Sequence, residues 1–322
     1  MIICIGESLV DFIPVDEDYR AAPAHGETGS SALPVYRPIA GGCPFNCAVS
    51  AARLDGEVAF VGTVSRDFFG DQIVERLVAN RVDVSMITRV PNPTTLAFVK
   101  KDTDGSVRYA FFANETADRA LTRDRISASL PTGAILQFGS ISLIPDPEGS
   151  AILELAGRER GTRVIAFDPN VRPNLVHDEA EYRSRVDRAL RAATLLKTSD
   201  EDLAWIYPEL SIEDAAKRVL EMGAGLVIVT SGARGSTAYT ESLTVAITAE
   251  EVEVSDTIGA GDSFLAALLV WMEERRVTAP IAVGGLSAGE LREMLGFASR
   301  VAAVTCTRVG ADPPYRDEVG PL

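Results

Sequence analysis

Short apolar runs alternate with helical segments along most of this chain, and that alternation limits the fold more than any single motif. Strand-like runs occupy residues 1–10, 58–64, 134–138, 164–168, 194–197 and 226–230. Helical patterns occupy 40–54, 68–80, 147–160, 179–193, 211–222, 262–275 and 288–305. In the 68–80 segment, Ile73, Val74, Leu77 and Val78 share one side, the mark of a helix with a buried face. Strands separated by helices build a parallel sheet covered on both faces, an α/β fold.

One segment breaks the alternation. Residues 94–101 and 106–112 are β-rich and flank Thr103, Asp104 and Gly105, a hairpin signal. A hairpin inserted there is expected to project as a lid. A small antiparallel pair is expected at 236–239 and 243–247, and residues 16–31 are polar and turn-rich. The stretch from Gly310 onward carries Pro and charge and is expected to cross the surface. No internal repeat or flexible linker divides the 322 residues, so a single domain is expected.

Charge narrows the partners. The net charge is −15, with a pI near 4.7. Nucleic acid and anionic membranes both need a basic face, so neither is expected as a partner. A nucleotide needs only a local cluster of donors. The first run, MIICIGESLVDFI, has no basic flank and is interrupted by Glu7 and Asp11, so it reads as a core strand. Cys4, Cys43, Cys47 and Cys306 form no Cys-x-x-Cys pair and read as buried thiols. A cytoplasmic protein is expected.

The run DTIGAGDSF, residues 256–264, stands before a strongly apolar helix and after a strand-like stretch at 252–254. Gly259, Ala260 and Gly261 bring bare N–H groups to the helix start, where anions bind. Asp262 on that start repels phosphate but can take a proton from a nucleophile attacking a phosphorus held beside it. An ordinary Asp cap behind a Gly-rich turn has the same letters, and the motif alone leaves both readings open.

Other polar residues are expected at the same rim, where ligands gather in open α/β sheets. Asp11 follows the first strand; Asp168, Asn170 and Arg172 follow the run at 164–167. Residues 197–202 follow another strand, and Thr230, Ser231 and Gly232 follow 226–229. Each alone could be a surface or turn residue; their joint order is the signal. There is no Gly-x4-Gly-Lys-[Ser/Thr], no Gly-x-Gly-x-x-Gly after the first strand, no His-Glu-x-x-His and no Gly-x-Ser-x-Gly.

GGCPFN with its Ala-rich helix resembles the N-terminal signature of the ribokinase-like, PfkB-type sugar kinases, and DTIGAGDSF resembles their C-terminal signature. The resemblance runs from residue 1 to about 314. GESLVDFIP, GSISL, DPNVRP, KTSDEDL and TCTRVGADPP are most similar to bacterial fructokinases. It implies a three-layer α/β/α sandwich with a small β-sheet lid formed by about 12–38 and 92–113, and often a homodimer through the lid. It implies ATP-dependent phosphorylation of a sugar, with Asp262 as general base and Gly259, Ala260 and Gly261 as the anion cradle. Asp11, Gly41, Gly42, Asn46, Phe98 and Arg172 would hold the sugar. Lys197, Thr230, Gly232, Gly235, Gly261 and Ser299 would hold ATP. Asp256 and Thr257, with Ala303 and Gly310, would hold K⁺.

One departure concerns Mg²⁺. The family's Asn-x-x-Glu motif stands here as Ser199-Asp200-Glu201-Asp202, so Asp202 replaces the usual Glu, and Glu201 is the alternative ligand. Cys43 replaces a commoner Ala. Three other readings stay open at this point: a 2-keto-3-deoxygluconate kinase, a nucleoside kinase, and a catalytically silent sugar-binding regulator.

Overall fold

The computed structural model describes residues 1–15, 35–101, 107–126 and 130–320. Strand β1 (Ile2–Ile5) alternates between two cores, with Ile2 and Cys4 in one and Ile3 and Ile5 in the other. The chain turns at Gly6 (φ +140°) and enters β2 (Leu9–Pro14), which pairs with β3 (Tyr36–Gly41). The single strand expected over 1–10 is thus two strands in two sheets. Gly6 makes the break: its backbone conformation suits glycine, and a Cβ there would run into the Ser142 hydroxyl.

Next come α1 (Cys43–Arg53), β4 (Val58–Ser65), α2 (Phe68–Ala79) and β5 (Ile87–Val90). The expected hairpin is β6 (Leu96–Lys101) with β7 (Val107–Phe112). Its tip at 102–106, and the polar stretch 16–34, lie outside the described residues. Alternation resumes with β8 (Ile135–Gly139), α3 (Glu148–Glu159), β9 (Ile165–Asp168), α4 (Glu179–Ala192) and β10 (Leu195–Ser199). Helices α5 (Asp200–Ile206) and α6 (Ile212–Glu221) lead to β11 (Leu226–Thr230), β12 (Ser236–Tyr239) and β13 (Thr244–Ile247). The chain continues through α7 (Ala260–Glu274), α8 (Pro280–Val283), α9 (Ala288–Cys306) and α10 (Arg316–Val319).

Nine strands form one sheet in the order β13-β12-β11-β10-β9-β8-β1-β4-β5. Seven pair parallel with one another; at one edge β12 turns back antiparallel to β11, and β13 pairs antiparallel to β12. Helices α1, α7 and α9 cover one face, and α3, α4 and α6 the other. A second sheet, β3-β2-β6-β7, is the lid. The mixed α/β fold with a large, mainly parallel sheet and a small separate one matches the expected class.

The stretch at 252–254 is not a strand: it is exposed and unpaired with either sheet. Its Glu-Val alternation has no neighbouring strand to pair with. The motif that follows hangs instead from the end of α9, where the Cys306 carbonyl accepts from the N–H of Ser255 (2.8 Å) and of Asp256 (3.2 Å).

Candidate active site

Helix α7 starts at Gly259, which adopts a left-handed conformation (φ +79°). A Cβ there would sit 2.8 Å from that of Ala311, so only glycine fits. Asp262 falls in the first turn and is buried. Asn46, from the first turn of α1, donates its Nδ2–H to Asp262 Oδ2 at 2.8 Å. That bond fixes one oxygen of the carboxylate across two helices. Gly261 leaves room for a cation: a Cβ there would lie 2.9 Å from Lys197 Nζ.

Lys197, at the end of β10, is buried and pairs with Asp168 from the end of β9 at 2.8 Å. Burial works against its charge, but Asp168 outweighs burial and holds the ammonium above its ordinary pKa. The first turn of α7 thus faces a fixed positive charge as well as its own N–H groups.

A cleft of about 290 Å³ opens here, lined among others by Asp11, Asn46, Tyr109, Arg172, Lys197 and Asp262. Gly42, Thr257, Gly259 and Gly261 also reach it. Asp11 comes from the lid strand β2, and a Cβ on Gly41 would run into its Oδ2. Burial, reinforced by the charge of Asp262 and opposed by Arg172, pushes the Asp11 carboxyl up to about 7. Arg172 is half-buried and also donates to the carbonyl of Val171 at 3.1 Å.

Phe98 is not at the cleft. Strands alternate their faces, and Phe98 lies on the outer side of the lid, stacked on Phe12 at 4.5 Å and edge-on to Phe112 and Tyr36. The aromatic residues on the cleft side are Tyr109 and Phe111, with ring centroids 5.7 Å apart. Strand β7 reads as period two in the sequence, but which parity faces inward depends on pairing: Phe98 opposes Ala110, so 109 and 111 take the other face.

Glu7 also reaches the cleft and was missing from the sequence reading. Its carboxylate accepts from the N–H of Cys43 at 3.1 Å and from the Ser142 hydroxyl, and so caps the start of α1. Burial pushes it up to about 7 despite those bonds. Its signal was a Glu in an otherwise apolar run, directly after Gly6.

The remaining predicted residues lie at strand ends, turns and helices α5 and α9 outside the cleft lining. Thr230 ends β11 beside Ser199, and its hydroxyl donates to the Thr198 carbonyl at 3.3 Å. Gly232 and Gly235 shape the turn into β12, which Arg234 ties to Asp200 at the start of α5. Ser299 is buried in α9, as is Ala303 one turn on. Asp256 is buried and accepts the Gly310 N–H at 3.0 Å and the Ile258 N–H at 3.2 Å, which brings the two expected cation-site segments together. Ser199 caps α5 by accepting the Asp202 N–H (2.9 Å), while Asp202 Oδ1 accepts the Val171 N–H (3.0 Å). Glu201 is exposed, so of the two candidate Mg²⁺ ligands Asp202 is the one turned toward the rim.

A buried carboxylate, a glycine-rich helix start and a lysine thus line one cleft, with residues of the lid across it. This is the layout of the ribokinase-like phosphotransferases. The chain belongs to the pfkB family of carbohydrate kinases, whose pattern it matches over residues 1–318. It is a kinase that phosphorylates sugars. It is 36% identical over 292 residues to a fructokinase of Rhizobium leguminosarum bv. trifolii, covering 91% of this chain and 86% of the relative. Among solved structures it resembles the fructokinase of Xylella fastidiosa with bound ATP: TM-score 0.86, 26% identity, 99% and 96% of the two chains covered. It also resembles the fructokinase of Vibrio cholerae O395, solved with fructose, ADP and calcium: TM-score 0.81, 26% identity, 96% and 94% covered. A double mutant of that enzyme was solved with potassium.

Proposed function

We propose that this protein is a fructokinase that transfers the γ-phosphoryl group of ATP to a hydroxyl of fructose, with Asp262 as general base. The observation that carries this reading is the α7 start: a carboxylate fixed by Asn46, inside an anion-binding first turn, opposite Lys197. The cleft, at about 290 Å³, stands at the low end of small-ligand sites and suits a small polar acceptor.

Asp11, Asn46, the Gly41–Gly42 backbone and Arg172 hold and orient the sugar, and Tyr109 and Phe111 roof it. Asp262 takes the hydroxyl proton as the O–P bond forms and the bond to ADP breaks. The N–H groups of Gly259, Ala260 and Gly261, with Lys197, stabilise charge on the transferring group. Thr230, Gly232, Gly235 and Ser299 hold the nucleotide. When bound, Mg²⁺ neutralises phosphate charge, and Asp202 would hold it. Asp256, Thr257, Ala303 and Gly310 would hold K⁺; the contact between Asp256 and Gly310 supports that pairing.

The whole chain acts as one kinase domain with its lid, and we place it in the cytoplasm. Among the described residues no helix is long and apolar enough to cross a membrane. The outer side of the lid, with Phe112 62% exposed beside Phe98 and Phe12, is the face on which a second copy would pack as a homodimer.

The test is sugar-dependent ADP release with ATP, Mg²⁺ and K⁺ against fructose, 2-keto-3-deoxygluconate, ribose, tagatose and nucleosides. Fructose is expected to give the highest kcat/KM. A higher value for an acidic sugar would assign Arg172 to a carboxylate, and a higher value for a nucleoside would assign Tyr109 and Phe111 to a base. Binding without turnover would make the protein a regulator.

A further inference from the structure

Beside the catalytic carboxylate sits a thiol that the phosphotransfer reaction does not use. Cys43 is the first residue of α1 and is buried at the cleft. Its Sγ, a carboxylate oxygen of Asp168 and one of Asp262 all lie within 4.8 Å of one another. Asp168 is 1% exposed, and its Oδ1 receives no hydrogen bond from any described residue, although Oδ2 is paired with Lys197. A buried carboxylate oxygen without a donor, in a cluster with a thiol and a second carboxylate, is set out for a cation.

We propose that Cys43, Asp168 and Asp262 form an inhibitory site for a thiophilic divalent cation of the Zn²⁺ type. Zinc binds thiolate and carboxylate oxygen at about 2.0–2.3 Å, which puts tetrahedral donors about 3.5 Å apart. Closing the donor separations by up to about 1.3 Å therefore completes three ligands, and the fourth position stays open to water or substrate. The charges balance as well. Three anionic donors against the Lys197 ammonium leave two negative charges, which one dication neutralises. Glu7 and Asp11 add negative field from the other lining elements, and Arg172 opposes it. Burial, then the charges of Asp262 and Asp168, push the Cys43 thiol well up. The metal must displace that proton, so binding strengthens as pH rises. Mg²⁺ prefers oxygen donors in octahedral geometry and is not the ion for a site with a thiolate.

The binding stands on this geometry alone. Its inhibitory effect rests on the reading of Asp262 as the base, because a metal-bound carboxylate cannot take a proton. The test titrates the full-length protein with Co²⁺, whose thiolate bond gives a near-ultraviolet charge-transfer band, and measures Zn²⁺ inhibition of sugar-dependent turnover at fixed Mg²⁺. The wild type is expected to show the band and to be inhibited. Cys43→Ala and Cys43→Ser are expected to lose the band and to need at least about 10-fold more Zn²⁺ for the same inhibition, the size that loss of even an outer partner of a metal ligand costs. Absence of the band in the wild type, or equal inhibition in both variants, overturns the proposal. A Cys43-dependent band in a protein whose turnover Zn²⁺ does not touch also overturns the inhibitory site. A Cys43-dependent band in a protein with no sugar-kinase turnover at all supports the metal site and removes the base assignment instead.

Discussion

Helix α7 begins in a polar cleft and ends in the core. Its first turn carries Gly259, Gly261 and Asp262, all lining the cleft. The next nine residues, 264–272, are buried without exception, Trp271 and Leu268 completely. Across the cleft, Asn46 stands on α1, whose remaining turns are buried against α7. In the proposed mechanism the polar turn supplies the chemistry, and the apolar turns supply the position. A base works only if held close to its productive geometry, and a helix packed on all sides holds it better than a loop. The lid makes the opposite contribution: its strands bring Asp11 and two aromatic rings over the cleft from a sheet separate from the main one.

Leu268→Ala tests the buried end. It is expected to cost about 2–5 kcal/mol of stability, the range for deleting a buried leucine side chain, with turnover per folded molecule near wild type. Denaturant melts and active-site-normalised rates check both parts. A drop in turnover without loss of stability would break the division between the two ends.

Asn46→Ala removes the bond across the helices. Loss of a hydrogen bond to a charged group, about 1.5–3 kcal/mol, is expected to lower kcat/KM by roughly 10–100-fold. An unchanged kcat/KM would mean that Asp262 is oriented by other means.

The lid and the strand break respond to pH. Asp11 and Glu7 stand at about 7 in the folded protein, above ordinary carboxylates at 3.8 and 4.5. The native state therefore binds more protons between those limits. Their contribution to stability is full below about 4 and is lost as pH rises through about 7. The ligand-free protein is expected to melt at lower temperature at pH 8 than at pH 5, and Glu7→Gln to flatten that slope. A melting temperature that rises with pH in the parent, or a slope unchanged in the variant, contradicts the burial argument. The smallest effect on turnover is expected from Phe112→Asp on the outer lid face, which should shift the molecule toward monomer in sedimentation while kcat changes little. A dimer that survives this charge uses another face.

The sequence made the layers legible because buried strands and amphipathic helices write their periods into it. The core helices and the parallel strands fall within a few residues of expectation. It did not show where one apolar run splits. Residues 1–10 read as one strand until Gly6, in contact range of Ser142 far along the chain, turns the second half into the lid. The run at 252–254 has strand composition but no partner. Helix α5 was not read from the sequence, because its first turn, residues 200–202, is wholly acidic and follows a strand directly. At the site, Asp262, Asp168, Lys197 and Arg172 were legible as rim residues, and Asn46 through the family resemblance. Phe98 was not placed correctly, because inward parity in a strand is set by pairing across the lid. Glu7 escaped as a site residue because its role depends on tertiary partners, Ser142 and Cys43, and the pairing of Asp168 with Lys197 was not legible for the same reason.

The central claim is that the first turn of α7 holds the base of a sugar kinase. Single-turnover formation of phosphorylated sugar by Asp262→Asn, alongside its melting temperature, tests it most directly. The account predicts a melting temperature close to that of the parent and a rate lower by about 10²–10⁴, the usual worth of a general base. A variant that folds normally and phosphorylates the sugar at the parent's rate would contradict it.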